Sequence, residues 1–190
     1  MRPAFRPERV IRAEIEATFP HIVGTNWLPK SPFDDSYQCI AWAASDTSRK
    51  WWPVVSPPEC YWPPNAPLND TVNSFIQAFA TLGYAPCTDD SFEFGYQKVA
   101  VYATNTGLVR HMARQHFLGK GWLSKPGTLE DIRHPDLRCI EGDPSPTSFE
   151  YGTVAQILKR SWLTAARHDL FSGWWAAFLF WLYRKIIVAR

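Results

Sequence analysis

The sequence has no large excess of charge of either sign. Its 20 Lys and Arg against 18 Asp and Glu leave a net charge of +2, and no basic run exceeds two residues. That balance excludes a chain whose main task is neutralising nucleic-acid phosphates. No Cys-x-x-Cys pair occurs. The four cysteines, Cys39, Cys60, Cys87 and Cys139, are widely spaced. This argues against a structural zinc site, and in a chain of this size against a disulfide scaffold. No metal and no cofactor is expected. The first residues lack an apolar core and a small-residue cleavage site, so they do not read as a signal peptide. The expected setting is a reducing cytoplasm with free thiols, or export by a leaderless route. Internal repeats are absent.

What is present is apolar and aromatic. Of 190 residues 46% are hydrophobic, with ten Trp and sixteen Pro. This suits one packed domain, expected over residues 1–165, with a separate apolar segment over 166–190. Within it, residues 170–183 (LFSGWWAAFLFWLY) carry no charge. A helix of that length rises ~21 Å, short of the ~30 Å hydrocarbon core. It reads as a core-packing helix, a partner-docking helix or an interfacial membrane helix.

Periodicity predicts an amphipathic helix over 8–19, carrying Val10, Ile11, Ile15 and Phe19 and ending at Pro20. A short buried helix begins between Tyr37 and Cys39, with Asp34, Asp35 and Ser36 as candidate caps. Residues 51–67 hold too many prolines for a helix and read as an aromatic loop. A helix over 68–83 follows, capped by Asn69 or Asp70 and stopped by Gly83. The period then changes. Residues 98–102 and 108–115 read as strands around an Asn105-Thr106-Gly107 turn, and 122–125 as a third. Residues 129–134 read as a short helix, and 151–162 as a strand or helix. The fold class is α+β.

Cys39 stands at the start of its helix, where partial positive charge and free N–H groups favour a thiolate and can hold an oxyanion. His111, on the second strand, is the expected general base and acid. Ser124, on the next strand, can accept the His111 N–H, whereas Lys125 is donor only. Asp131 and Gln115 are alternative orienters. Gln38 can donate to the oxyanion. Trp42, Trp52 and Trp62 are expected to wall the substrate groove, with Gln115 as a further substrate contact. His116 and His134 read as solvated loop histidines.

The string Tyr37-Gln38-Cys39-Ile40-Ala41-Trp42-Ala43-Ala44 resembles the N-C-x-A-W-A segment of a poorly characterised bacterial family of unknown function. His111-Met112-Ala113-Arg114-Gln115 and Trp122-Leu123-Ser124-Lys125-Pro126-Gly127 extend the likeness over about residues 8–160. Gln38 departs from that family's Asn. The order Cys, His, polar residue looks like the papain-like superfamily. It implies a helix bearing Cys packed on a small antiparallel sheet bearing His, and a hydrolase or acyltransferase acting on a peptide or protein amide through a thioester. The rival expectation is a non-catalytic papain-like accessory module. It would bind a protein partner or membrane surface through its Trp/Pro loop and residues 170–183. No nucleic acid is expected.

Overall fold

The structure is a computed structural model that describes residues 5–53, 60–142 and 151–163. Part of the Trp/Pro loop and the whole of the segment 166–190, with its expected docking role, lie outside the described residues.

The centre is a seven-stranded sheet in the order β1-β8-β7-β6-β5-β9-β4. Its strands are β1 (Leu28–Pro29), β4 (Ala85–Cys87), β5 (Tyr96–Ala103), β6 (Val109–Gln115), β7 (Trp122–Ser124), β8 (Ile132–His134) and β9 (Thr153–Ser161). Every neighbouring pair is antiparallel. A separate parallel pair joins β2 (Lys50–Trp51) to β3 (Cys60–Tyr61). Among the described residues the α-helices are α1 (Glu8–Thr18), α2 (Cys39–Ala43) and α3 (Val72–Ala80). The chain is thus α+β.

Both sheet faces are covered, which is why β5 reads as a near-continuous apolar run (KVAVYA). Successive strand residues point to opposite faces. On one face Val99, Val101 and Met112 meet Cys39 and Ile40 of α2 and Phe75 and Phe79 of α3. On the other, Ala100, Tyr102 and Ala113 meet Ile11 and Ile15 of α1, with Trp27 and Tyr151. Burying a Leu-, Ile- or Phe-sized side chain contributes ~1.5–3 kcal/mol.

Two expectations change. Residues 129–134 were expected to be helical, but they supply β8. Ile132 and His134 alternate inward at 0% exposure, and β8 gives the short β7 and β1 their partner. Helix α3 begins at Val72, later than the expected Leu68. Asn69 Oδ1 accepts from Thr71 N (3.3 Å), Thr71 Oγ1 (2.6 Å) and Ser74 Oγ (2.5 Å), so residues 69–71 form the lead-in. Residues 151–162 resolve as the strand β9, registered against eight residues of β5.

Gly152 enters β9 with φ +73°, and a Cβ there would fall on the Ala103 carbonyl oxygen. Gly24 has φ +76° with open space around it. Gly24→Ala therefore meets only the left-handed backbone penalty, about 1–2 kcal/mol. Gly152→Ala adds a backbone clash and should cost about 3 kcal/mol or more. Urea unfolding of the two variants checks the order; equal losses would contradict it.

Candidate active site

The Cys39 helix starts where it does because Gln38 caps it. Gln38 Oε1 accepts from Ala41 N and from Trp51 N, each at 3.2 Å, and its Nε2 donates to the Trp51 carbonyl. Both ends of the amide are therefore engaged in tying α2 to β2. The expected donation from Gln38 to an oxyanion is replaced by a capping role.

Cys39 is 7% exposed. The sequence led to a lowered thiol pKa, but burial pushes it up to about 11, against the pull of the Met112, Ile40 and Cys39 backbone N–H groups. The reason is size: α2 has five residues, so its end charge is small beside the desolvation cost. The thiol thus rests protonated.

The Met112 contact locates the sulfur. Strand β7 pairs with β6 only at Ala113, Arg114 and Gln115. Cys39 packs with Met112 in the cluster that covers this face of the sheet. His111 is registered with Tyr102 and shares its face. Side chains alternate along a strand, so His111 lies on the face opposite the one where Cys39 packs with Met112.

His111, Ser124 and His134 are all 0% exposed and form one chain of hydrogen bonds. His111 Nε2 lies 3.2 Å from Ser124 Oγ, Ser124 Oγ lies 2.9 Å from His134 Nε2, and His134 Nδ1 lies 2.6 Å from the Asp136 carbonyl. The carbonyl sets every proton. It only accepts, so His134 Nδ1–H donates. Burial holds both imidazoles below their ordinary value, His134 at about 4 and His111 well below 6.5, so both are neutral. His134 Nε2 then accepts from Ser124, and Ser124 must accept from His111 Nε2–H. His111 Nδ1 is left as a bare lone pair. It is buried and, among the described residues, has no hydrogen-bond partner. An unmet buried polar group of this kind costs ~1–3 kcal/mol.

Tyr151 lies across the imidazole, with ring centroids 4.2 Å apart and nearly parallel. Burial raises the Tyr151 phenol, with a smaller push from the Cys39 charge. His134 and Tyr151 were not picked out from sequence. The available signal for His134 was its two-residue spacing from Ile132. Tyr151 reaches the site only through the return of β9.

The other expected residues separate. Trp42 packs on Tyr37 (5.8 Å) and carries the Arg114 guanidinium on its ring at 4.3 Å. Arg114 also donates to Ser45 Oγ (2.8 Å) and, among the described residues, makes no ion pair. Trp52 and Trp62 pack edge-on to Phe75, at 5.9 and 4.9 Å, as core cover. Gln115 is buried and donates to the Asp90 carbonyl (2.7 Å). Asp131 accepts from Tyr37 (3.0 Å) and faces buried Lys125 at 3.9 Å, so it is engaged apart from the imidazole. Among the described residues no group of three or more His, Cys, Asp or Glu is arranged to hold a metal ion, and no helix is long and apolar enough to cross a membrane.

Residues 29–159 match the family described as a domain of unknown function (DUF7689). No curated protein and no solved structure matches.

The buried histidines make stability depend on pH. A histidine whose folded pKa is depressed stabilises fully above its unfolded value. That contribution is lost as pH falls. For His134 the window runs from 6.5 down to about 4, a loss of about 3 kcal/mol. Asp46, held at about 2, acts below that window, and Asp131, held above its ordinary value, opposes the loss. Unfolding free energy measured from neutral to mildly acid pH should fall in the native chain and fall less in His134→Gln. Parallel curves would contradict the buried neutral assignment.

Proposed function

We propose that this chain, which belongs to the DUF7689 family, is a papain-like cysteine hydrolase or acyltransferase in which the thiol and imidazole rest neutral. The observation that carries this is the buried, unpartnered His111 Nδ1, one residue along β6 from Met112, whose backbone N–H meets the Cys39 sulfur, with His111 Nε2 fixed on Ser124.

The step follows from the proton order. A carbonyl substrate reaches the thiol. The Cys39 proton passes to His111 Nδ1, and the sulfur pair forms the C–S bond while the carbonyl π pair moves to oxygen. Backbone N–H groups of Cys39 and Ile40, already directed at the sulfur, are the nearest donors for that oxyanion. Collapse breaks the C–N or C–O bond, and the Nδ1 proton goes to the leaving group. Water then cleaves the thioester and restores the thiol. His111 Nε2–H keeps its bond to Ser124 throughout, so the relay need not reorganise. Arg114 on Trp42 offers a positive group beside the helix for a substrate acceptor. A peptide, a peptidoglycan stem peptide or a glutamine side chain all present the required carbonyl.

A second reading has its own observation. The thiol is held near 11 and Tyr151 covers the imidazole, as in a scaffold that only binds. p-Nitrophenyl acetate separates the two. The hydrolase reading predicts an acetyl group on Cys39, seen by peptide mass spectrometry, with turnover lost in Cys39→Ala. His111→Ala should be slower by about 10²–10⁴-fold, with smaller losses in Ser124→Ala and His134→Ala. Equal turnover in Cys39→Ala, or acetyl only at other residues, would overturn it in favour of the binding module.

A further inference from the structure

The β6–β7 connection ends in a turn with unusual corners. Gly119 N–H donates to the His116 carbonyl (2.8 Å), and His116 N–H donates to the Gly121 carbonyl (2.9 Å). Turn corners favour Gly, Asn, Asp, Ser and Pro. Here they are Phe117 and Leu118, 55% and 54% exposed. Leu28, registered against Arg133, is also exposed.

Beside this tip lies a cleft of about 310 Å³ lined by Asn26, Lys120, Gly121, Arg133 and Pro135. Its shape depends on Gly121. A Cβ there would fall on the His134 carbonyl, so only glycine lets the turn approach β8 and bring Lys120 beside Arg133. Lys30 follows β1, the outer partner of β8. Lys30, Lys120 and Arg133 all lie close enough to His116 to oppose its protonation. Among the described residues none of these three cations forms an ion pair. Three segments thus converge on a cationic cleft, in a chain whose net charge is only +2.

We infer that this cleft and tip dock the protein on an anionic phospholipid surface, with a headgroup phosphate between Lys120 and Arg133 and the Phe117 and Leu118 side chains in the interfacial layer. The cations alone would suit any phosphate. Adjacent exposed apolar corners beside them suit a lipid interface, where apolar groups enter and basic groups stay at headgroup level. The assignment does not rest on the proposed Cys39 chemistry.

The test is sedimentation of the full chain with phosphatidylcholine vesicles, with and without phosphatidylglycerol at roughly one lipid in three. Binding should require the anionic lipid and weaken with salt. Lys120→Gln with Arg133→Gln should weaken it roughly 10- to 30-fold. Phe117→Ser with Leu118→Ser should weaken it while leaving the circular dichroism spectrum and melting temperature unchanged. Equal binding to neutral vesicles, or unchanged binding in both variants, would overturn the assignment and move the contact elsewhere, residues 170–183 included. No vesicle binding, with amide shifts at Lys120 and Gly121 on adding inorganic phosphate, would make the cleft a soluble-anion site and overturn the lipid assignment.

Discussion

The Asp136 carbonyl, accepting from a histidine that water does not reach, is the interaction on which the site depends. A carbonyl has no proton to give. Once His134 is neutral and bonded to it, the orientation of every later group is fixed, through Ser124 to His111. The outcome is a lone pair on His111 Nδ1 that no described residue meets. Asp136 is itself well anchored, because its carboxylate accepts from Arg138 N (2.9 Å) and Cys139 N (3.2 Å) at the start of the Leu137–Ile140 turn. The short strands β7 and β8 carry the middle members, and antiparallel pairing holds them in register. The sheet and the relay therefore depend on one another. A slip of one residue would turn Ser124 and His134 to the opposite face.

Burial gives this site its resting state. A preformed thiolate and imidazolium need solvent or nearby counter-charge. Cys39 has desolvation on one side and a five-residue helix on the other, and desolvation dominates. In the proposed chemistry, a neutral thiol and imidazole separate charge only when a substrate oxygen is present to take it. Tyr151 against the imidazole keeps water away from the base.

Much of the layout was legible in the sequence, because period and turn chemistry are local. The KVAVY strand, the Asn-Thr-Gly turn and the returning His111 strand emerge where their residues indicate. So does a helix opening at Cys39, and the Ser124 contact with His111 follows from strand order. Other features were not legible, since they depend on distant partners. Residues 132–134 are strand because β7 lacks another neighbour on that side. His134 looks like a loop histidine until β7 and β8 pair. The fate of the Gln38 amide is decided by Trp51, which sits next to a proline-rich stretch with no period to read. The direction of the Cys39 pKa depends on the depth of burial, which residue order alone does not give.

The most direct test of the account is the tautomer of each buried imidazole, read from the side-chain nitrogen shifts of His111 and His134 in long-range proton–nitrogen NMR spectra at neutral pH. The account predicts opposite neutral forms, with the proton of His111 on Nε2 and that of His134 on Nδ1. The same tautomer in both rings, or an imidazolium at either position, would contradict the relay and remove the base on which the proposed chemistry depends.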